Sequence, residues 1–187
     1  MPRVLVCGDD QLTNLRIGRV LSVRNIPFDI EKGQIRKDDL VHYDLVVVHS
    51  SCKVPHLSGF IENLVLSDRM PVVYLASEFA IGAIRPLLDQ PLFAFVDDQR
   101  IDAELGIAAA LLLKTSTALK SAAAQAEKAV HRADLRRMMD ECKKQLSDRG
   151  MSEADAHSLI LRTAMDRQIS KYDACAFLIA QKKSETD

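Results

Sequence analysis

No apolar run in this 187-residue sequence reaches the ~18–20 residues that a helix needs to cross a bilayer. No membrane partner is therefore expected. The opening Met-Pro-Arg-Val-Leu-Val lacks the layout of a secretory signal. Cys-x-x-Cys spacing is also missing: the four cysteines, at 7, 52, 142 and 175, are scattered through apparent strands and helices. That excludes a disulfide scaffold and predicts reduced thiols in a cytoplasmic protein. A strong net charge is absent too, the formal total being −1. The balance is uneven, however. Residues 1–113 carry 11 Lys+Arg against 15 Asp+Glu, and residues 114–187 carry 14 against 11. A positive second part suits a polyanionic partner.

What is present begins with an alternation. Arg3–Cys7 is a nearly all-apolar run closed by Gly8-Asp9-Asp10, as expected of a strand buried on both faces of a parallel sheet. Pro27–Ile30, Asp44–His49, Pro71–Leu75 and Leu92–Val96 are four further strands. Between them, Leu12, Leu15, Ile17, Val20, Leu21 and Val23 mark one helix. Phe60, Ile61, Leu64 and Val65 mark a second, and Phe79–Leu88 a third, broken near Pro86. Five strand–helix alternations in about 110 residues predict an α/β, doubly wound five-stranded parallel sheet.

Proline is missing from Ile101 to Leu146, where Gly106 is the lone glycine. Leu105, Leu112, Leu119, Ala126 and Ala133 recur every seven residues, and Ala108, Ala122 and Ala129 form a weaker second seam. A sustained seven-residue repeat is the pattern of a coiled coil. It predicts a long helix that forms a homodimer through residues 105–133. The competing reading is that residues 101–114 complete the sheet domain. The expected division is 1–112 for the sheet domain, 113–132 for the linker helix and 133–187 for a small all-α three-helix module.

Two helix starts punctuate that module. Ser152-x-x-Asp155 and Ser170-x-x-Asp173 each place a hydroxyl at the N-cap and a carboxylate three residues on. Ala156, Leu159, Ile160, Thr163 and Ala164 follow the first at helical spacing. Ala174, Phe177, Leu178 and Ala180 follow the second. Gly150 ends the preceding helix near Asp148. Met165 is expected in the core, and His157 in a structural or exposed place. The series Arg149-Gly150-Met151-Ser152-Glu153-Ala154-Asp155-Ala156-His157, then Leu161-Arg162 and Ala164-Met165-Asp166-Arg167, resembles the ANTAR domain over roughly residues 133–181. That family is the RNA-binding module of the amidase and nitrate-assimilation antitermination regulators. The segment from Cys142 to Gly150 is shorter than the family pattern.

The resemblance implies an RNA partner, namely hairpins in leader transcripts. The cations and planar side chains available for it are Lys143, Arg149, Arg162, Arg167, Lys171 and Tyr172. Planar groups stack on splayed loop bases, and a helix start beside a lysine attracts a phosphate. Arg162 and Arg167 line one groove if the chain bends just after Met165.

The first domain resembles a response-regulator receiver (flavodoxin-like). Such a domain carries an acidic pair after strand 1, a phosphoacceptor Asp ending strand 3, a Ser or Thr ending strand 4 and a Lys ending strand 5. Here the corresponding places hold Gly8-Asp9 with Asp10 next along, His49, Ala76 and Asp98. An aspartyl phosphate needs a carboxylate nucleophile and cations on the phosphoryl oxygens, so a pseudo-receiver without phosphorylation chemistry is expected. His49, Cys52 and His56 have a spacing short enough to close around an ion. The alternative is a strand end followed by an ordinary loop, and no metal or cofactor is assigned. The combined expectation is a non-enzymatic antitermination regulator, controlled by a partner protein or ligand. The rivals are a DNA-binding response regulator and a protein-interaction adaptor.

Overall fold

The computed structural model describes residues 2–31 and 37–180. These fall into two compact units, 1–120 and 121–187. In the first, five parallel strands stand in the order β2-β1-β3-β4-β5: β1 Val4–Cys7, β2 Phe28–Glu31, β3 Leu45–His49, β4 Val72–Ala76 and β5 Phe93–Asp97. Val4 lies opposite both Phe28 and Leu45, and Val46 opposite Val72. The three inner strands are buried along their whole length. This is why their sequences are continuous apolar runs without alternation.

Successive side chains point to opposite faces, and two cores result. Leu5, Cys7, Val46, Val48, Val72 and Tyr74 pack on one face with Ile61, Leu64 and Leu87. These last come from α3 (Leu57–Glu62), from the π-type turn Asn63–Ser67 and from the 3-10 stretch Glu78–Leu87 that contains Pro86. Ile61, Leu64 and Val65 are three and four residues apart, the spacing that puts them on one helical face toward the sheet. On this side α2 (Lys37–Leu40) contributes Leu40. Val4, Val6, Leu45, Val47, Val73 and Leu75 form the other face, covered by α1 (Gln11–Val23) and the start of α4 (Gly106–Ser147).

The helix expected from Leu12 to Val23 forms, but its apolar residues do not all face the core. Of the six apolar residues marking α1, Leu12, Leu15 and Val23 are exposed, while Ile17 and Leu21 are buried beside Asn14 and Gly18. Gly18 leaves room for the Phe28 ring, which a Cβ there would approach to 2.9 Å. The seven-residue repeat of α4 is also divided. Leu105 and Leu112 are 0% and 6% exposed, and they belong to the sheet core with Ile101 and Ala109. Residues 101–112 belong to the core of the first unit, whereas the next seam position, Leu119, is 44% exposed.

In the second unit the end of α4 packs with α5 (Glu153–Arg167) and α6 (Lys171–Ala180). Both serines cap as expected: Ser152 Oγ accepts the Asp155 N–H at 3.2 Å and Ser170 Oγ accepts that of Asp173 at 3.1 Å. Gly150 takes φ +84°, the left-handed value that favours glycine. The core holds Cys142, Leu146, Ala156, Ile160, Cys175 and Leu178. Met165 is 77% exposed, contrary to expectation, because it stands on α5 opposite the Ala156–Ile160–Ala164 stripe. Ala180 is exposed, and Cys175 supplies the buried contact in its place. All four cysteines are free and buried. No helix among the described residues is long and apolar enough to cross a membrane.

Candidate functional site

The carboxyl edge of the sheet, beside the β1/β3 switch point, is where open parallel sheets place ligands. Gly8-Asp9-Asp10 follow β1, His49 ends β3, Ala76 ends β4, and Asp97-Asp98 close β5. His49 is 7% exposed. Its Nδ1 lies 2.7 Å from Ser51 Oγ and accepts the Ser51 N–H at 3.2 Å. Ser51 Oγ also accepts the backbone N–H groups of Asp9 and Asp10, each at 3.0 Å. A hydroxyl oxygen that receives two amide protons directs its own proton at Nδ1. The network therefore assigns the imidazole hydrogen to Nε2, and Nε2 faces Asp98 Oδ1 at 3.4 Å.

The remaining residues tighten this arrangement. Asp9 accepts the Lys53 N–H at 2.9 Å. Asp10 caps α1, accepting the Thr13 N–H at 3.0 Å and the Thr13 hydroxyl. Those bonds from Thr13 hold its carboxyl below the usual aspartate range. Asn14, nearly fully buried, donates to the Gly8 carbonyl at 2.7 Å. A Cβ on Gly8 would stand 3.1 Å from both Asn14 Oδ1 and His49 Cβ, so the loop closes on this spot. Ala76 is fully buried and offers only a methyl group. Where a working receiver pairs an aspartate on β3 with a lysine on β5, this chain pairs a histidine with an aspartate. The imidazole lone pair points inward at Ser51. Among the described residues no three of His, Cys, Asp and Glu are grouped to hold a metal. Cys52 is buried in the core, and His56 precedes α3 in a left-handed conformation.

The six C-terminal candidates divide between the two ends of α5. A 15-residue helix is about 22 Å long. At its start, Lys143 is mostly covered and paired with Glu153 at 3.3 Å, while Arg149 is exposed in the α4–α5 turn. At its end, Arg167, Lys171 and Tyr172 gather around the α5–α6 turn, all exposed. The bend expected within Asp166–Ser170 is present, but it comes later than just after Met165. The helix runs on to Arg167, and the turn comes at Gln168, which takes φ +54° with its N–H on Ala164 O and Met165 O. Five helical residues separate Arg162 from Arg167, which puts them about 140° apart around the axis. Arg162 instead pairs with Asp166 at 3.6 Å on another face. The Arg167 guanidinium lies over the Phe177 ring, 3.7 Å from its centroid.

Ser51 and Phe177 were not singled out by sequence reasoning. The signal for Ser51 was its place two residues after the β3 histidine. Phe177 read simply as a core residue.

No family model matches this chain, and no curated protein matches it. Among solved structures it is similar to the signal receiver domain of an HD domain-containing protein from Pseudomonas fluorescens. The identity is 13%, over 64% of this chain and 92% of that one, with a TM-score of 0.54. It is also similar to a fusion carrying a trimeric coiled coil of yeast Spc42, at 16% identity over 71% of this chain and 90% of that one, TM-score 0.52. At such identities the likeness concerns the fold alone. The first unit has a receiver fold, and a long helix follows it.

Proposed function

We propose that this chain is a non-catalytic antitermination regulator whose second unit binds hairpins in leader transcripts and prevents terminator formation. The observation that carries the reading is the α5–α6 turn. There an exposed arginine set over an aromatic ring adjoins a lysine and a tyrosine at a capped helix start. Planar cations and aromatic rings are the groups that stack on unpaired RNA bases, and a helix start beside a lysine suits a phosphate. The ANTAR-like series from Arg149 to Arg167 supports the same assignment. With Lys143 taken up by Glu153, the contact is centred on Arg167, Lys171 and Tyr172, and Arg149 is peripheral. The receiver-fold unit does not accept a phosphoryl group on this reading, so its signal comes from a partner protein or ligand. The protein is a homodimer through the exposed part of α4 beyond Leu119.

The test is a salt titration of binding to a two-hairpin leader RNA and to duplex DNA of equal length. RNA should bind more tightly. Lys171→Ala should cost about 1–3 kcal/mol and reduce the salt slope by about one. Tighter binding to duplex DNA would assign a DNA regulator instead, and no binding to either would assign a protein-interaction adaptor.

A further inference from the structure

We propose that Arg167 and Phe177 form a two-layer platform on which one unpaired RNA base stacks, with Phe177 as the positioning residue for the guanidinium. This rests on the RNA-binding reading above and specifies which part of the RNA is recognised.

The geometry begins with Gln168. Its left-handed conformation ends α5 and turns the chain so that α6 passes beneath the last residue of α5. Phe177, half-buried at the edge of the small core, then lies under Arg167. The guanidinium carbon stands over the ring, 3.7 Å from its centroid, which is direct contact and within the range of a cation–π interaction. One face is covered by Phe177, and the residue as a whole is exposed, which leaves the opposite face open. Among the described residues no carboxylate pairs with Arg167, whereas Arg162 is held by Asp166 and Lys143 by Glu153.

An arginine free to rotate must lose side-chain entropy when it stacks on a base. Here contact with the ring already restricts the side chain. A lysine ammonium can neutralise a phosphate but cannot supply a stacking face. A duplex, whose bases are already stacked on each other, offers nothing to such a platform. A splayed loop base does.

The experiment uses the full chain and three RNA probes of one stem sequence: a hairpin with an adenine loop, the same hairpin with abasic loop positions, and the closed duplex. Arg167→Lys keeps the charge and removes the plane. Phe177→Leu keeps apolar volume and removes the ring, and Phe177→Trp restores a ring. Arg167→Lys and Phe177→Leu should each weaken adenine-loop binding about tenfold with an unchanged salt slope. Neither should alter binding to the abasic hairpin or the duplex, and Phe177→Trp should bind like wild type. Should Phe177→Leu lose its fold by circular dichroism, the comparison of Arg167→Lys with Arg167→Ala decides alone. If Arg167→Lys binds the adenine loop like wild type while Arg167→Ala weakens all three probes and flattens the slope, the residue is a phosphate clamp and the platform is wrong. If wild type binds none of the three, the RNA-binding reading itself has failed.

Discussion

Leu112 and Leu119 stand seven residues apart on α4 and read identically as seam positions, yet substitution should affect them in opposite ways. Leu112 is 6% exposed and packs against the sheet with Leu105, Ala109 and Val96, whereas Leu119 is 44% exposed. Truncating a buried leucine costs about 2–5 kcal/mol. Leu112→Asp adds an unpaired carboxylate and should exceed the upper part of that range. Against a domain stability of about 5–15 kcal/mol, this leaves the receiver fold marginal. Leu119→Asp should change stability by no more than about 0.5 kcal/mol, as surface substitutions do, while placing like charges across the proposed helix pair. Hydrogen exchange of peptides from β1, β3 and β4 separates the two outcomes. A loss of about 5 kcal/mol speeds their exchange roughly 5,000-fold in Leu112→Asp, and Leu119→Asp should exchange as wild type. Analytical ultracentrifugation should show Leu119→Asp as a monomer under conditions where wild type is a dimer. If Leu112→Asp keeps slow strand exchange and merely dissociates, Leu112 faces a partner helix and its place in the sheet core is wrong. If wild type is monomeric at high micromolar concentration, the dimer is wrong.

Three further outcomes are expected. Acetyl phosphate with Mg²⁺ should leave the intact mass unchanged, because the β3 position is a histidine whose lone pair is turned to Ser51; an added phosphoryl group lost in His49→Ala would contradict this. Ser152→Ala and Ser170→Ala should each lower the stability of the second unit by about 1 kcal/mol, seen as a lower helical melting temperature, and unchanged melts would mean the caps are energetically idle. For Asp10, whose folded carboxyl titrates below the ordinary 3.8, the cap's electrostatic contribution is complete above that value and lost as pH falls through the lower folded one. Asp10→Asn keeps a capping side chain, so stability near neutrality should be retained while the acid limb flattens. A steeper acid limb in the variant would reverse the sign of the argument.

The parts of the fold that were legible in the sequence are those governed by local chemistry. The serine caps and Gly150 follow from backbone groups within four residues, and they occur where the residues announce them. The inner strands were legible because burial on both faces permits no alternation. Faces were harder to read. Leu12 and Leu15 look like core residues of α1, but Asn14 and Gly18 take the core side, one to bond the Gly8 carbonyl and the other to admit the Phe28 ring. A seven-residue repeat says that a helix has a stripe and not what the stripe faces, so Leu105 and Leu112 were given to a partner helix when the sheet owns them. The candidate sites show the same limit. The identities of His49 and Asp98 were readable, but the Ser51 hydroxyl that orients the imidazole depends on a loop closing from β1. Met165 illustrates the converse: a single apolar residue in a cationic stretch was assigned inward, although its helical azimuth puts it opposite Ala156, Ile160 and Ala164.

Gly150 carries a consequence that concerns handedness. Its φ of +84° is a conformation that amino acids of the L series adopt with strain, yet no atom outside the residue and its chain neighbours lies within 4 Å of where a Cβ would stand. Backbone handedness, with no tertiary crowding, is what disfavours an L side chain there. An L-alanine should cost about 1 kcal/mol. Its mirror image meets no such objection. A D-alanine built into the position by chemical ligation would take the turn unstrained and deprive the unfolded chain of glycine's freedom. The second unit should then gain about 0.4–1 kcal/mol from a methyl group that touches nothing.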